Sequence, residues 1–206
     1  MICGAKLESD FEMIDFTPAT RVARLRLRPI REGDARDVGR LGGDEKVRIP
    51  ANLCELDRRG SAKKFVSVRL EAWADLSAFT FAILVGEEFV GSCTLHSFCS
   101  EMRSAEIGFW IGRPYWGRGI ATRAVRRLVT YARQGSSLNR LTAKTRDTNT
   151  RAESVLTKCG FQYRYSYHDM GLGNSVRIRC FDLELLVATG RSQCAGTKTA
   201  DARLRP

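Results

Sequence analysis

Residues 104–122 of this 206-residue chain set an apolar strand, a proline turn and a glycine-spaced loop ahead of a helix. Trp116, Gly117, Arg118, Gly119, Ile120 and Ala121 place small residues where a backbone must approach a ligand closely. The helix that follows aims unbonded N–H groups and its positive dipole end at the loop, which is the physical recipe for holding a phosphate or pyrophosphate. Gly117 to Thr122 are the anion-binding candidates, with Gly119 foremost because any side chain there would crowd the phosphates. Glu106 lies on the strand leading in, and alternation puts it on one face with Gly108 and Trp110. A carboxylate in a partly buried cleft can have its proton affinity raised, which suits a general base. A structural or substrate-orienting carboxylate, with water removing the proton, is the alternative.

A second block begins at Asn149 and runs through Ser154 and Gly160 to Phe161. Asn149 is a natural helix cap, and Ser154 is open to a hydrogen bond with its own helix. His96 and His168 are the only histidines, and either could titrate near neutral pH. Cys93 and His96 are three apart in an expected strand, so they face opposite sides and make a poor metal site. No metal is expected.

These residues need elements to hold them. Alternation or hydrophobic runs predict strands at 24–29, 79–85, 89–98, 105–111, 141–145, 161–167 and 177–186. Helices are expected at 32–41, at 61–73 with Ser61 as cap, at 118–133 and at 150–158, the last stopped by Gly160. In the third helix Ala121, Ala124, Val125, Leu128, Val129 and Ala132 form one apolar stripe. Residues 44–60 read as irregular. Residues 1–20 read as a loose leader, 21–188 as one domain and 189–206 as a disordered tail. Strands joined partly by hairpins and partly by helices imply a mixed α/β sheet with helices on both sides.

Composition bounds the remainder. Hydrophobic residues make up 43% of the chain, ordinary for a globular protein. No apolar run reaches the ~20 residues of a membrane helix, and the acidic start argues against a signal peptide. Seven scattered cysteines without a Cys-x-x-Cys pair suggest free thiols in a reducing cytoplasm. Net charge is +11; residues 1–20 carry −3, leaving +14 on the rest. Between 118 and 151 stand nine Arg or Lys and one acid, Asp147. Such a stretch is either a solvated face or an attractor of polyanions. Aromatic residues do not interleave with it in any RNA-recognition pattern, so contact with nucleic acid or ribosome is only weakly supported.

Glu106, Ile107, Gly108 and Phe109, then Tyr115 to Gly119, then the block from Asn149 to Phe161, together resemble the GNAT acetyltransferase superfamily. The nearest likeness is to its ribosomal-protein N-terminal acetyltransferase branch, RimJ/RimL-like. Leu25 to Pro29 with Glu32 to Ala35 resemble the branch's first strand and helix, so the likeness spans about residues 22–187. The loop opens with Trp116 where the wider superfamily has Gln or Arg, as is usual in this branch. The resemblance implies a GNAT fold, a mixed and mostly antiparallel twisted sheet of about seven strands with about four helices. It implies an enzyme moving an acetyl group directly from acetyl-CoA to a primary amine, with a protein N-terminus as the expected acceptor. Coenzyme A carries about four negative charges on its phosphates and gains from the basic stretch. A small-molecule amine (amino sugar, aminoglycoside or amino acid) is the alternative acceptor, and a CoA-binding module without turnover is the rival reading.

By the same resemblance, Phe109, Trp110 and Ile111 offer backbone groups to the cofactor's arm, as an added strand would. Trp116 to Thr122 hold its pyrophosphate and Asn149 contacts the arm. Ser154 binds or protonates the departing thiolate. The Tyr that many relatives carry two residues further is Leu156 here, and another base position of the family is Lys144, which is unsuited. His168 falls near the expected edge of the acceptor cleft, built by about 44–76 and 164–177. Monomer and homodimer are both compatible with this reading.

Overall fold

The computed structural model describes residues 24–57, 60–170 and 175–185. The expected leader and tail lie outside the described residues. Seven strands form one sheet: β1 (Leu25–Pro29), β2 (Phe79–Val85), β3 (Glu88–Cys99), β4 (Ser104–Ile111), β5 (Arg140–Arg146), β6 (Gln162–Asp169) and β7 (Val176–Glu184). Their order is β1-β2-β3-β4-β5-β7-β6. All neighbours are antiparallel except β4 and β5. In β2 both parities of residue are buried from Phe79 to Leu84, so the sheet is covered on both faces there. At the far edge, β6 is exposed along almost its whole length.

Five α-helices accompany the sheet: α1 (Ala35–Gly42), α2 (Glu45–Arg48), α3 (Ser61–Ala74), α4 (Ile120–Gly135) and α5 (Thr150–Lys158). The helix beyond the expected four is α2, a single turn inside the segment read as irregular. Asp44 caps it, its carboxylate accepting from the Lys46 N–H at 2.9 Å. Ser61 is the first residue of α3 and not its cap; Gly60 takes that place at φ +87. The apolar stripe of α4 is buried as expected, with Ala124, Val125, Leu128 and Ala132 all inaccessible to solvent. A fork–fork ion pair of Arg28 with the buried Asp34, at 2.8 and 2.6 Å, fastens β1 to the chain entering α1.

The feature that positions the site is where β4 and β5 part. Their parallel pairing runs only from Ser104 with Arg140 to Ile107 with Ala143. Yet β4 continues to Ile111, held from its other side by β3, and β5 continues to Arg146. Gly91 of β3 permits this support, because a Cβ there would lie 2.2 Å from the Trp110 carbonyl oxygen. A wedge therefore opens in the middle of the sheet, lined on one side by an unpaired strand edge.

Candidate active site

Backbone groups alternate in direction along a strand. The Gly112 N–H donates to the Val90 carbonyl at 2.8 Å, so Gly112, Trp110 and Gly108 face β3. Phe109 and Ile111 then turn their N–H and C=O groups into the wedge. Trp110, expected to serve through its backbone beside them, instead spends that backbone on β3. Its buried indole packs near Gly42 of α1. The Ile111 carbonyl accepts the Trp116 indole N–H at 2.7 Å, fastening the glycine loop to the strand end.

Gly117 and Gly119 have φ of +76 and +67, a region that side-chain-bearing residues avoid. A Cβ on either would meet nothing within 4 Å. The loop is therefore an open cradle. It delivers the chain into α4 without any side-chain cap and without an acid in the first turn. Gly119's carbonyl accepts the Arg123 N–H at 3.1 Å, so the N–H groups of Ile120, Ala121 and Thr122 have no partner within the helix.

A cavity of about 480 Å3 lies over this cradle, bounded opposite by α5. Lys46, Arg118, Arg151 and Lys158 line it, and no carboxylate does. Arg151 stacks 4.7 Å from the Trp116 ring centroid. Arrayed cations above an uncapped helix end suit a polyphosphate. Ser154 lines the same cavity, exposed, and its hydroxyl makes no hydrogen bond among the described residues. It thus lacks the bond to its own helix that Thr157 and Thr130 make at 3.0 Å. Asn149 caps α5, accepting from the Ala152 N–H, and donates to the Pro50 carbonyl, both at 3.2 Å. Its amide ties α5 to the loop after α2, the two walls of the cavity.

A second cavity, about 540 Å3, lies on the other side of the wedge. Phe109, Trp110, Pro50 and Asn149 line both, so the two are halves of one cleft. The second half is lined by Glu106, Lys144, His96 and Arg69. Lys144 donates to Glu106 Oε2 at 2.7 Å, and this bond raises its pKa above the ordinary lysine value. Arg69 is bound to Glu55 at 2.9 Å and lies 3.3 Å over the Phe65 ring; burial lowers its pKa. Leu156, standing in for the absent Tyr, is buried and lines this half. Described residues of the 44–76 and 164–177 segments line this half, among them Leu53, Phe65, Tyr167 and Val176.

Sequence reasoning missed that Lys144 and His96 stand beside Glu106. The signal lay in strand register: Glu106 faces His96 across β3 and β4, and Lys144 stands two residues beyond Thr142, Glu106's partner on β5. His168 is exposed, bonded to Ser175 at 2.8 Å, and lines neither half. Cys93 is fully buried, which pushes its thiol pKa well up and leaves it inert. No helix among the described residues is long and apolar enough to cross a membrane.

Comparison with known proteins agrees with this geometry. Residues 24–162 match the family profile described as "Acetyltransferase (GNAT) domain". An uncharacterised N-acetyltransferase of Bacillus licheniformis is 30% identical over 141 residues, 68% of this chain and 79% of that protein. A Bacillus subtilis protein provisionally named a ribosomal N-acetyltransferase is 29% identical over 139 residues, 66% of this chain and 76% of its own. Among solved structures, RimL, a ribosomal L7/L12 alpha-N-protein acetyltransferase in complex with coenzyme A, superposes with a TM-score of 0.69. It is 20% identical, covering 84% of this chain and 98% of that one.

Proposed function

The chain belongs to the GNAT acetyltransferase family, and from that premise we propose that it transfers acetyl from acetyl-CoA directly to a primary amine, with a protein N-terminus as acceptor. The observation carrying this reading is the wedge between β4 and β5. It joins a cationic, carboxylate-free cradle to a second half holding a paired carboxylate. An extended arm fits between the strands, bonded by Phe109 and Ile111 as a missing strand would bond. Gly117 to Thr122 hold the pyrophosphate on the N–H groups of α4, with Trp116 bracing the loop. Lys46, Arg118, Arg151 and Lys158 add long-range attraction. Trp110 and Asn149 act here as wall residues between the two halves, Asn149 with lone-pair and donor capacity to spare for the arm.

Thioesters carry their own activation, so no nucleophile from the protein is required. Transfer needs the amine to lose a proton, a donor for the developing oxyanion and protection for the departing sulfur. Ser154, with an unengaged hydroxyl in the cofactor half, serves the departing thiolate. Glu106 meets the incoming ammonium in the acceptor half, its charge shared with Lys144. The provisional ribosomal name of the Bacillus subtilis relative supports a peptide terminus. The test is a thiol-release assay with acetyl-CoA against N-terminal peptides, aminoglycosides and amino acids. Release driven by peptides and acetylation of their α-amine are expected; release with small amines alone would move the acceptor to that class.

A further inference from the structure

We propose that His96 is the proton acceptor of the transfer, with Nε2 facing the incoming amine and Glu106 holding the ammonium for it. The inference rests on the acetyl-transfer reading above and assigns a residue that reading does not use. Side chains of successive strand residues point to opposite faces. Even so, His96 Nδ1 and Ser97 Oγ lie 2.9 Å apart. Ser97 makes this possible by adopting φ +52, an uncommon conformation for a non-glycine residue. The ladder between β3 and β4 loses its register at the same point, between His96 and Cys99. Backbone strain of this kind collects at functional sites, and here it fixes an imidazole.

The fixed ring points its other nitrogen at the cleft. His96 Nε2 lies 3.6 Å from where a Cβ of Gly108 would sit, so the missing side chain leaves Nε2 uncovered. Gly108 adjoins Phe109, where the two halves of the cleft meet. With Nδ1–H donating to Ser97, Nε2 keeps its lone pair. The charged groups acting on the ring are Glu106 from β4, Lys144 from β5 and Arg69 from α3, and Arg146 of β5 with Tyr167 and Asp169 of β6 line the same cavity. Burial lowers the imidazole's pKa most, Glu106 opposes it, and Lys144 and Arg69 lower it further by smaller amounts. The ring is thus neutral at pH 7, whereas the Glu106 carboxylate is already bonded to an ammonium.

Nε2 takes one proton from the ammonium and yields it to solvent. The free amine nitrogen bonds to the thioester carbonyl carbon and gives up a second proton to solvent. The C–S bond breaks, and the sulfur is protonated from Ser154, which solvent replenishes. Amide and thiol form, with one net proton released.

The experiment compares wild type, His96→Gln, Gly108→Ala and Glu106→Gln by kcat and amine KM from pH 6 to 10. Retained folding and acetyl-CoA affinity are checked alongside. A general base contributes ~10²–10⁴-fold, so His96→Gln is expected to lose that much kcat near neutrality and to recover it as the amine deprotonates in solution. Gly108→Ala, whose Cβ makes only ordinary contact with Nε2, should show a smaller loss of the same pH shape. Glu106→Gln should raise amine KM more than it lowers kcat. An unchanged kcat in His96→Gln, an equal loss at every pH, or a pH-recoverable loss confined to Glu106→Gln overturns the assignment. Absence of turnover in wild type with every amine would instead overturn the acetyl-transfer reading, and this inference with it.

Discussion

Replacing Gly119 with glutamate probes the phosphate cradle most sharply. The residue stands at φ +67, and an added Cβ would meet no atom within 4 Å. The protein therefore loses about 1–2 kcal/mol of backbone energy with no packing clash, a fall of a few degrees in Tm for a domain of this size. The new carboxylate would lie beside the proposed pyrophosphate. At a separation of about 5 Å, one pair of like charges repels by about 0.8 kcal/mol in water and about 3 kcal/mol at an effective dielectric of 20. Per phosphate charge, that weakens binding by roughly fourfold to roughly 300-fold. Gly86 supplies the control. It has φ +63, equally open space, and a place in the β2–β3 turn that lines neither half of the cleft. Gly86→Glu should cost similar stability and leave affinity alone. Calorimetric titration with acetyl-CoA at low and moderate salt, beside thermal melts, makes the comparison, and added salt should shrink the difference. Gly119→Glu binding within twofold of wild type, or equal weakening in Gly86→Glu, refutes the reasoning.

Three further outcomes follow from the same geometry. Ser154→Ala should lower kcat more than it weakens acetyl-CoA binding, since a group acting on the developing thiolate contributes in the transition state; unchanged turnover would leave Ser154 as a surface helix residue. Asn149→Ala should destabilise the fold by about 2 kcal/mol, about 1 for the lost cap and about 1 for the bond to Pro50, whereas Asn149→Asp keeps the cap and should lose about half as much in urea titrations. The raised pKa of Lys144 means its pair with Glu106 adds stability below the ordinary lysine pKa that disappears as pH climbs through the folded value. Lys144→Met should therefore flatten the alkaline limb of the stability profile, and an unaltered limb would show the pair adds nothing.

Local patterns carried most of the fold into the sequence. The two-residue alternation of β1, the apolar stripe of α4 and the Asn and Gly punctuating α5 each depend on neighbours along the chain. The elements observed match them within a few residues. The turn of α2 escaped because its four residues hold no periodicity, and only the Asp44 cap marks it. The cradle was legible because glycine spacing is itself local. The acceptor half was not, because Glu106 gains Lys144 through parallel pairing with a strand more than thirty residues away, and His96 through the hairpin between β3 and β4. The turning of Trp110's backbone toward β3 depends on which edge of β4 is paired, which composition does not encode.

Mass spectrometry of the acceptor reads out direct acetyl transfer by this chain. The purified chain is incubated with acetyl-CoA and a panel of peptides with free α-amines, and released thiol is counted against acetylated peptide. Enzyme-dependent acetylation of the α-amine is expected, with one thiol released per acetyl transferred. Saturable binding of acetyl-CoA with no thiol release above the enzyme-free rate, across peptides and small amines alike, would contradict it.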